Sequence, residues 1–517
     1  MNLISVLLAL TPVLLIFLLL VLRRMAADLV GLIGWVITIL IAWLYFQTPL
    51  VNTLRISWAG VIASFPITLM VATSILQITI MLDTGAIQRV VVLVKSIAAR
   101  NQIIQIMIIN VGFGTLLAAM GATPVSILPP ILIAMGYTPF VAIALPAIGY
   151  DALCTYALLG IPVVVFSGFV NLPVSEVGKY FARYMPVIST CIALGMLWIV
   201  GKGQMLRRGF LPALITGITA GMIAIGMNAI GMVTLTGVAA GLGVILVMVL
   251  YLKIRGYALL DRSVLSASDI AAEKSMLLWT AISPWIILTT LALLVNAPFL
   301  PLFDWTFNKL AMPVEIIPNT VEKMRVFWQA YFLIFVSTLL ALPLLKPTRL
   351  QINSTVRKWL KRAPRPMFAS AVFFAIAYLY NHSGKGVDWQ LLDADYNMVT
   401  VLATASANTF GELYPMVAPY LGLLSGFISG SESSAIAMLT KLHLATADQI
   451  GAIGILIAAA SGIGGGLASV ISPAKLQNAA ASIDRIGEEA RVIPTTFIIS
   501  VLITLVCAVM TLLWAYG

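Results

Sequence analysis

Charge is the scarcest commodity in this 517-residue sequence: 9% of residues are Asp, Glu, Lys or Arg, against 61% apolar, and the mean hydropathy is +1.05. A water-soluble domain needs about a quarter of its residues charged, so lipid has to be the solvent for most of this surface. Cysteine is nearly absent. Cys154, Cys191 and Cys507 all lie in apolar stretches, which excludes a disulfide framework and marks them as packing residues. The two histidines, His382 and His443, sit in separate contexts, and no Cys–His cluster offers a metal site. A nucleophile elbow and a cofactor fingerprint are missing too, so the sequence predicts neither an enzyme nor a bound cofactor. Acids are outnumbered by bases, 19 to 30. The excess base falls in short loops between apolar runs, a positive-inside pattern that argues for a membrane and against nucleic acid.

What the sequence has in abundance is long apolar runs. The first, 3–22, has no basic stretch before it and no small-residue cleavage site after it, so it reads as a span and not a cleavable signal. Further full spans are predicted near 28–46, 57–82, 140–168, 181–201, 209–227, 231–252, 276–297, 326–344, 367–383, 449–483 and 493–514. Two more apolar stretches, 102–135 and 413–444, are interrupted halfway by Gly, Ser, Thr or Pro. They read as re-entrant hairpins, tolerable only where the tips are buried in protein or line a wet cavity. Most Lys and Arg then fall on one side, including Lys346, Arg349, Arg357, Lys358, Lys361, Arg362 and Arg365. That asymmetry predicts both termini outside, an even number of crossings and hairpins of opposite orientation.

A weak internal repeat supports this. IMLDTGAI (80–87) and YLYNHSGK (378–385) each end a span on polar residues; a hairpin follows, with tips at 121–123 and 429–434; then comes a broken span, GYDALCT (149–155) or SGIGGG (461–466). The predicted architecture is an all-α integral membrane protein of about twelve transmembrane helices plus two oppositely oriented re-entrant hairpins, arranged as inverted repeats. The first repeat covers 57–200, the scaffold and basic loop 201–366, and the second repeat 367–517. Secondary transporters built this way hold substrate between the repeats near the midplane. A channel is the alternative from another class, since it too can use opposed hairpins.

The motifs TPVSILPPILIAMGYTP (123–139), LLGIPVVVFSG (158–168), YNHSG (380–384), SGFISGSESSAIAML (425–439), ATADQIG (445–451) and GGGLASVISPAK (464–475) resemble the signature regions of the L-lactate permease family. The resemblance implies a proton-driven symporter of small 2-hydroxymonocarboxylates, lactate and glycolate, in a bacterial inner membrane. It departs from the family at three places: the tip FGTLLAAMGATP has no acid, Tyr150-Asp151 stands where Asn-Thr is common, and Lys475 replaces a small polar residue. Another organic anion, a different carboxylate or a sulfonate, carried with Na⁺ or H⁺, is the runner-up.

Ionisable groups inside spans cost about 2.5–3.5 kcal/mol each at mid-membrane and therefore point to function. Asp151 lies about ten residues into its span, where the proton-bound form is favoured, as a reversible proton carrier needs; a structural acid bonded to a neighbouring helix is the other reading. Glu432 sits in the second tip, where it links proton to anion, ligates Na⁺, or caps a helix. His382 is a third candidate for proton coupling. Thr123, Pro124, Tyr150, Ser431, Ser433, Ser434, Gly464, Gly465, Ser472 and Lys475 are the candidate substrate contacts, with Lys475 as counter-charge to a carboxylate. Asp83 with Thr84, and Asn381 with Ser383, form polar clusters that either bind an ion or cap helices. The expected partners are a small organic anion, the bilayer and a second copy in a homodimer; H⁺ or Na⁺ is the coupling ion. Motion is expected to be elevator-like, hairpins and broken spans moving against 209–252 and 276–344.

Overall fold

The computed structural model describes residues 3–21, 23, 25, 27–97, 101–121, 124–296, 300–429, 431–483, 485 and 487–517. The chain is overwhelmingly helical. It opens with α1 (Leu3–Val21) and α2 (Ala27–Leu44), then a long run split into α3 (Leu50–Ala63) and α4 (Phe65–Asp83). Pro66, in the first turn of α4, has no N–H to continue the ladder. After α5 (Ala86–Ser96) comes a helix pair. One arm is α6 (Gln102–Ile106), a π-helical stretch Met107–Phe113 and α7 (Gly114–Ala119); the other is α8 (Pro124–Ala134).

An interrupted helix follows: α9 (Pro139–Gly149), a 3₁₀ stretch Tyr150–Tyr156 and α10 (Ala157–Val170). Then come α11 (Val174–Ala182), α12 (Met185–Ala229), α13 (Thr236–Ile254), α14 (Ala267–Ser275) and α15 (Leu278–Asn296), and an antiparallel hairpin, β1 (Met312–Ile317) and β2 (Thr320–Met324). The last third holds α16 (Ala330–Leu345), α17 (Arg349–Arg362), α18 (Pro364–His382) and α19 (Met398–Phe410). A second helix pair, α20 (Tyr414–Ser429) and α21 (Glu432–Ile450), precedes a second interrupted helix: α22 (Gly454–Leu467), a 3₁₀ turn Ala468–Val470 and α23 (Pro473–Ala481). The last helix is α24 (Glu489–Trp514).

Among the described residues, 7 helical stretches are long and apolar enough to cross a bilayer, and other apolar helices are shorter. One of the seven is Gln102–Ala119, an arm of the first pair, so length alone does not separate crossing from non-crossing helices here. The spans expected at 181–201 and 209–227 form one helical run, broken where Gly201 and Lys202 leave helical geometry.

Two sequence expectations change. The second interrupted span breaks not at Gly464–Gly466, which are helical within α22, but at Ala468–Ser472, with Pro473 starting α23. The reason is packing: a Cβ on Gly464 would sit 2.0 Å from the Pro419 carbonyl oxygen. Those glycines serve contact, not bending. Second, α5, α11, α14, α17 and α19 are helices beyond the predicted spans.

The two pairs and two interrupted helices pack crosswise. The arms α20 and α21 lie on their own α22, but α21 also packs on α10, and α8 on α23. Each pair therefore rests against the interrupted helix of the other half. Around them, α2 and α3 pack on α18, α16 and α17 on α4, and α13 on the first pair.

Candidate functional site

The second tip is shaped by close backbone contact. A Cβ on Gly422 would meet the Ser461 carbonyl oxygen at 1.8 Å, and one on Gly426 the Gly465 carbonyl oxygen at 2.2 Å. Small residues spaced four apart let two membrane helices approach to main-chain contact. That contact fixes where the tip ends. Ser431, extended at φ −146°, caps α21: its Oγ accepts the Ser434 N–H at 3.4 Å. Glu432 then occupies the first turn, where the helix dipole favours a carboxylate.

Glu432 is 4% exposed. Its Oε1 accepts the Thr155 hydroxyl at 2.7 Å, a contact between chain segments 277 residues apart. The Cys154 thiol bonds to the same carboxyl, and the charge of Lys475 acts on it. Oε2 is buried and has no hydrogen-bond partner. A Cβ at Gly466 would lie 2.6 Å from Oε2, so the glycine main chain lines this side of the carboxyl and a side chain there would push Oε2 aside. The Lys475 ammonium donates to Ser469 Oγ at 2.5 Å, and so lies at the break between α22 and α23.

The first half meets this point from the other side. Leu153 departs from helical geometry at φ −140°, and Leu158, Leu159 and Gly160 follow with φ of 56°, 56° and 77°. Left-handed backbone costs a leucine about 1–2 kcal/mol, so the surrounding packing imposes this turn. The Ala152 carbonyl, freed by the break, accepts Ser189 Oγ–H at 2.7 Å. Gly121, at φ +84° in the first tip, approaches Leu158 and Ser74. Ala118 and Val125 of the first pair, Ala147 and Cys154 of the first interrupted helix, and Leu476 and Ala480 of α23 share one buried cluster. With the Glu432–Thr155 bond bringing in the second pair, all four elements converge.

Of the sequence-predicted residues, Glu432, Gly464, Gly465, Ser433, Ser434 and Ser472 are all buried, and a Cβ on Gly465 would lie 3.7 Å from Glu432 Cα, whereas Gly464 faces Pro419 of α20. Ser434 Oγ is buried without a partner, and the Ser472 carbonyl accepts the Lys475 and Leu476 N–H groups. Pro124 begins α8. Tyr150 and Asp151 lie on the 3₁₀ stretch, four and five residues before Thr155 in reverse order, but their side chains, like Thr123, fall outside the described residues.

The polar clusters go elsewhere. Asp83 is held by α17: it accepts Thr355 Oγ1–H at 2.9 Å and the Lys358 ammonium, while its backbone carbonyl accepts Gln351 at 2.8 Å. Thr84 Oγ1 donates to the Ile80 carbonyl at 2.8 Å, as a helix-end residue does. Ser383 joins α18 to α19, with Oγ accepting the Met398 N–H at 2.8 Å, and the Asn381 carbonyl accepts from Asn397 at 3.2 Å. His382 lies against Tyr378 with the rings tilted by 39° and their centroids 5.8 Å apart.

Sequence reading missed Thr155 and Cys154, which carry no signal beyond lying in a broken span. It gave His443 no role beyond lying apart from His382. His443 is fully buried, with Nδ1 2.7 Å from Tyr414 Oη and Nε2 2.7 Å from Ser461 Oγ, tying α20, α21 and α22 together.

Apolar helices in this number, two helix pairs converging on two interrupted helices, and isolated charges buried among them belong to a multi-pass membrane transporter. Residues 5–516 match the L-lactate permease family, and the chain belongs to it. It is 26% identical to an L-lactate permease of Escherichia coli K12, over 99% of this chain and 96% of that one. It is 25% identical to the glycolate permease GlcA of the same strain and 24% identical to an L-lactate permease of Bacillus subtilis 168, each over 99% of this chain and 96% of the relative. The efflux pump MtrF of Neisseria gonorrhoeae superposes at a TM-score of 0.45 with 12% identity, over 90% of this chain and 84% of that one, too distant to carry an argument.

Proposed function

We propose that this chain is a symporter of small 2-hydroxymonocarboxylates, L-lactate, D-lactate or glycolate, coupled to H⁺. The relatives named for lactate and glycolate transport support the substrate class. The observation that carries the coupling is Glu432: a buried carboxyl at the second tip, one oxygen held by Thr155 of the other half and the other without a partner. A carboxyl in such a place is costly when charged and unpaired. It takes a proton before an anion can settle beside it, and that order ties proton to substrate.

In this reading the helix pairs are re-entrant hairpins of two inverted repeats, and both termini face outside the bacterial inner membrane. Lys475 is the counter-charge to the substrate carboxylate, Ser433, Ser434 and Ser472 supply hydroxyls, and Asp151 is a second proton-binding acid. Pairs and interrupted helices move together as an elevator, in a homodimer. The test is L-lactate uptake into proteoliposomes under an imposed pH gradient. Inward acid should stimulate wild-type uptake, and Glu432→Gln should lose that stimulation at least tenfold while retaining lactate exchange at equal pH on both sides. Stimulation by an inward Na⁺ gradient and not by acid would overturn the proton claim; uptake of another organic anion but not lactate or glycolate would overturn the substrate.

A further inference from the structure

A second group of charges lies away from Glu432. Lys441 is nine residues along α21 from Glu432, about 13 Å of helix. It is half-buried, as is Lys385, just beyond the end of α18, and α18 packs on α21. The positive charges of Lys385 and Lys441 both act on His382, which ends α18, the helix packed on the α21 that carries Lys441. Among the described residues, no ion pair includes either lysine. Glu322 of β2 is engaged by the Tyr378 hydroxyl, one turn before His382. His382 Nδ1 and Asn381 Oδ1 are buried and have no partner. An amide can turn to present its NH₂ in place of its oxygen.

Half-buried ammonium groups without a counter-ion are costly, and an anion beside them removes the cost. Fixed positive charge at the mouth of a path also raises the local concentration of the anions it admits. We propose that Lys385, Lys441, His382 and Asn381 form a capture site for a small carboxylate, occupied before the anion reaches the second tip. The four groups supply donors and positive charge of the kind a carboxylate accepts from, and the ammoniums hold it loosely enough to release it. The choice of a 2-hydroxycarboxylate as occupant rests on the transport reading above; the presence of an anion site does not.

The experiment uses the full chain in proteoliposomes and in detergent. Lys441→Gln and Lys385→Gln should each raise the KM for L-lactate about five- to tenfold with kcat unchanged. The wild-type KM should rise with ionic strength, while that of the double variant is high and flat. Lys441→Arg should keep the wild-type KM, a rescue that a purely structural role for the lysine would not predict. In detergent, L-lactate, glycolate, acetate and chloride are compared for their effect on the melting temperature at constant ionic strength. A carboxylate-induced rise that shrinks in the double variant supports the site even if the wild type carries no lactate, in which case only the substrate reading falls. Wild-type KM and wild-type anion response in the double variant would overturn the proposal.

Discussion

At the scale of single residues, three hydroxyl contacts decide how the buried polar groups are held. Thr155 is the hydroxyl donor on Glu432 Oε1 at 2.7 Å, and removing it leaves the buried carboxyl only the weak Cys154 thiol, at a cost of about 1–3 kcal/mol. Thr155→Val should therefore lower initial lactate uptake tenfold or more at unchanged expression, and Thr155→Ser should keep it. Radiolabelled uptake with matched protein loading distinguishes them. His443 is the structural counterpart. Its ring joins Tyr414 and Ser461, so His443→Ala orphans two buried hydroxyls and should cost about 2–4 kcal/mol, read as a lower melting temperature in detergent. The sequence makes Glu432 legible because an acid in an apolar stretch stands out. It makes Thr155 illegible because a threonine in a membrane helix is ordinary until its partner, 277 residues away, is known.

At the scale of elements, the apolar spans and their interruptions are readable because Gly, Pro and polar residues punctuate them. The purpose of a given glycine is not. A hinge and a close contact are spelled alike, and only the neighbouring main chain of Pro419, Gly422 and Gly426 shows that Gly464 and Gly465 are contacts. Gly426→Ala should accordingly abolish transport and lower the melting temperature, since its Cβ meets the Gly465 carbonyl oxygen at 2.2 Å. Gly226→Ala, in α12 with nothing within 4 Å, should be neutral or gain up to about 1 kcal/mol.

The helix α5, which leads into the first pair, is fastened by a polar segment that no hydrophobic pattern announces. Lys95 pairs with Asp269 of α14 at 2.9 Å, and Ser266 caps the same carboxylate. Burial alone would raise the Asp269 pKa, but the hydrogen bonds of Lys95 and Ser266 and the Lys95 charge outweigh it and hold it below the ordinary 3.8. A lowered folded value contributes stability above about pH 3.8, lost as pH falls through that lower value. Asp269→Asn should flatten this acid limb in a pH series of thermal melts. Lys95→Ala should cost about 3–5 kcal/mol at neutral pH by stranding the buried acid.

For the whole molecule, the question is which surfaces slide. The α13 helix meets the first pair through small residues: a Cβ on Gly241 would lie 2.8 Å from the Gly112 carbonyl oxygen, and one on Gly112 2.7 Å from Ile245 Cγ1. In an elevator this contact has to shear. Cysteines at Gly112 and Ile245, in a chain with Cys154, Cys191 and Cys507 replaced, should stop transport when oxidised and restore it when reduced. Undiminished transport by the oxidised form would show that α13 and the first pair travel together. The helix boundaries of this interface follow from hydropathy, but its partners do not, since every apolar face in a membrane chain is equally ready to meet lipid or protein.

The wall facing Glu432 Oε2 is main chain at Gly466, with no side chain to trim or enlarge. This has an evolutionary consequence. Point substitutions on that wall can only close the space, so a lineage adapting to a bulkier acid gains no room there. Diversification has to run through the neighbouring segment of the other half, at Cys154 and Thr155, where a side chain can be exchanged without displacing a backbone.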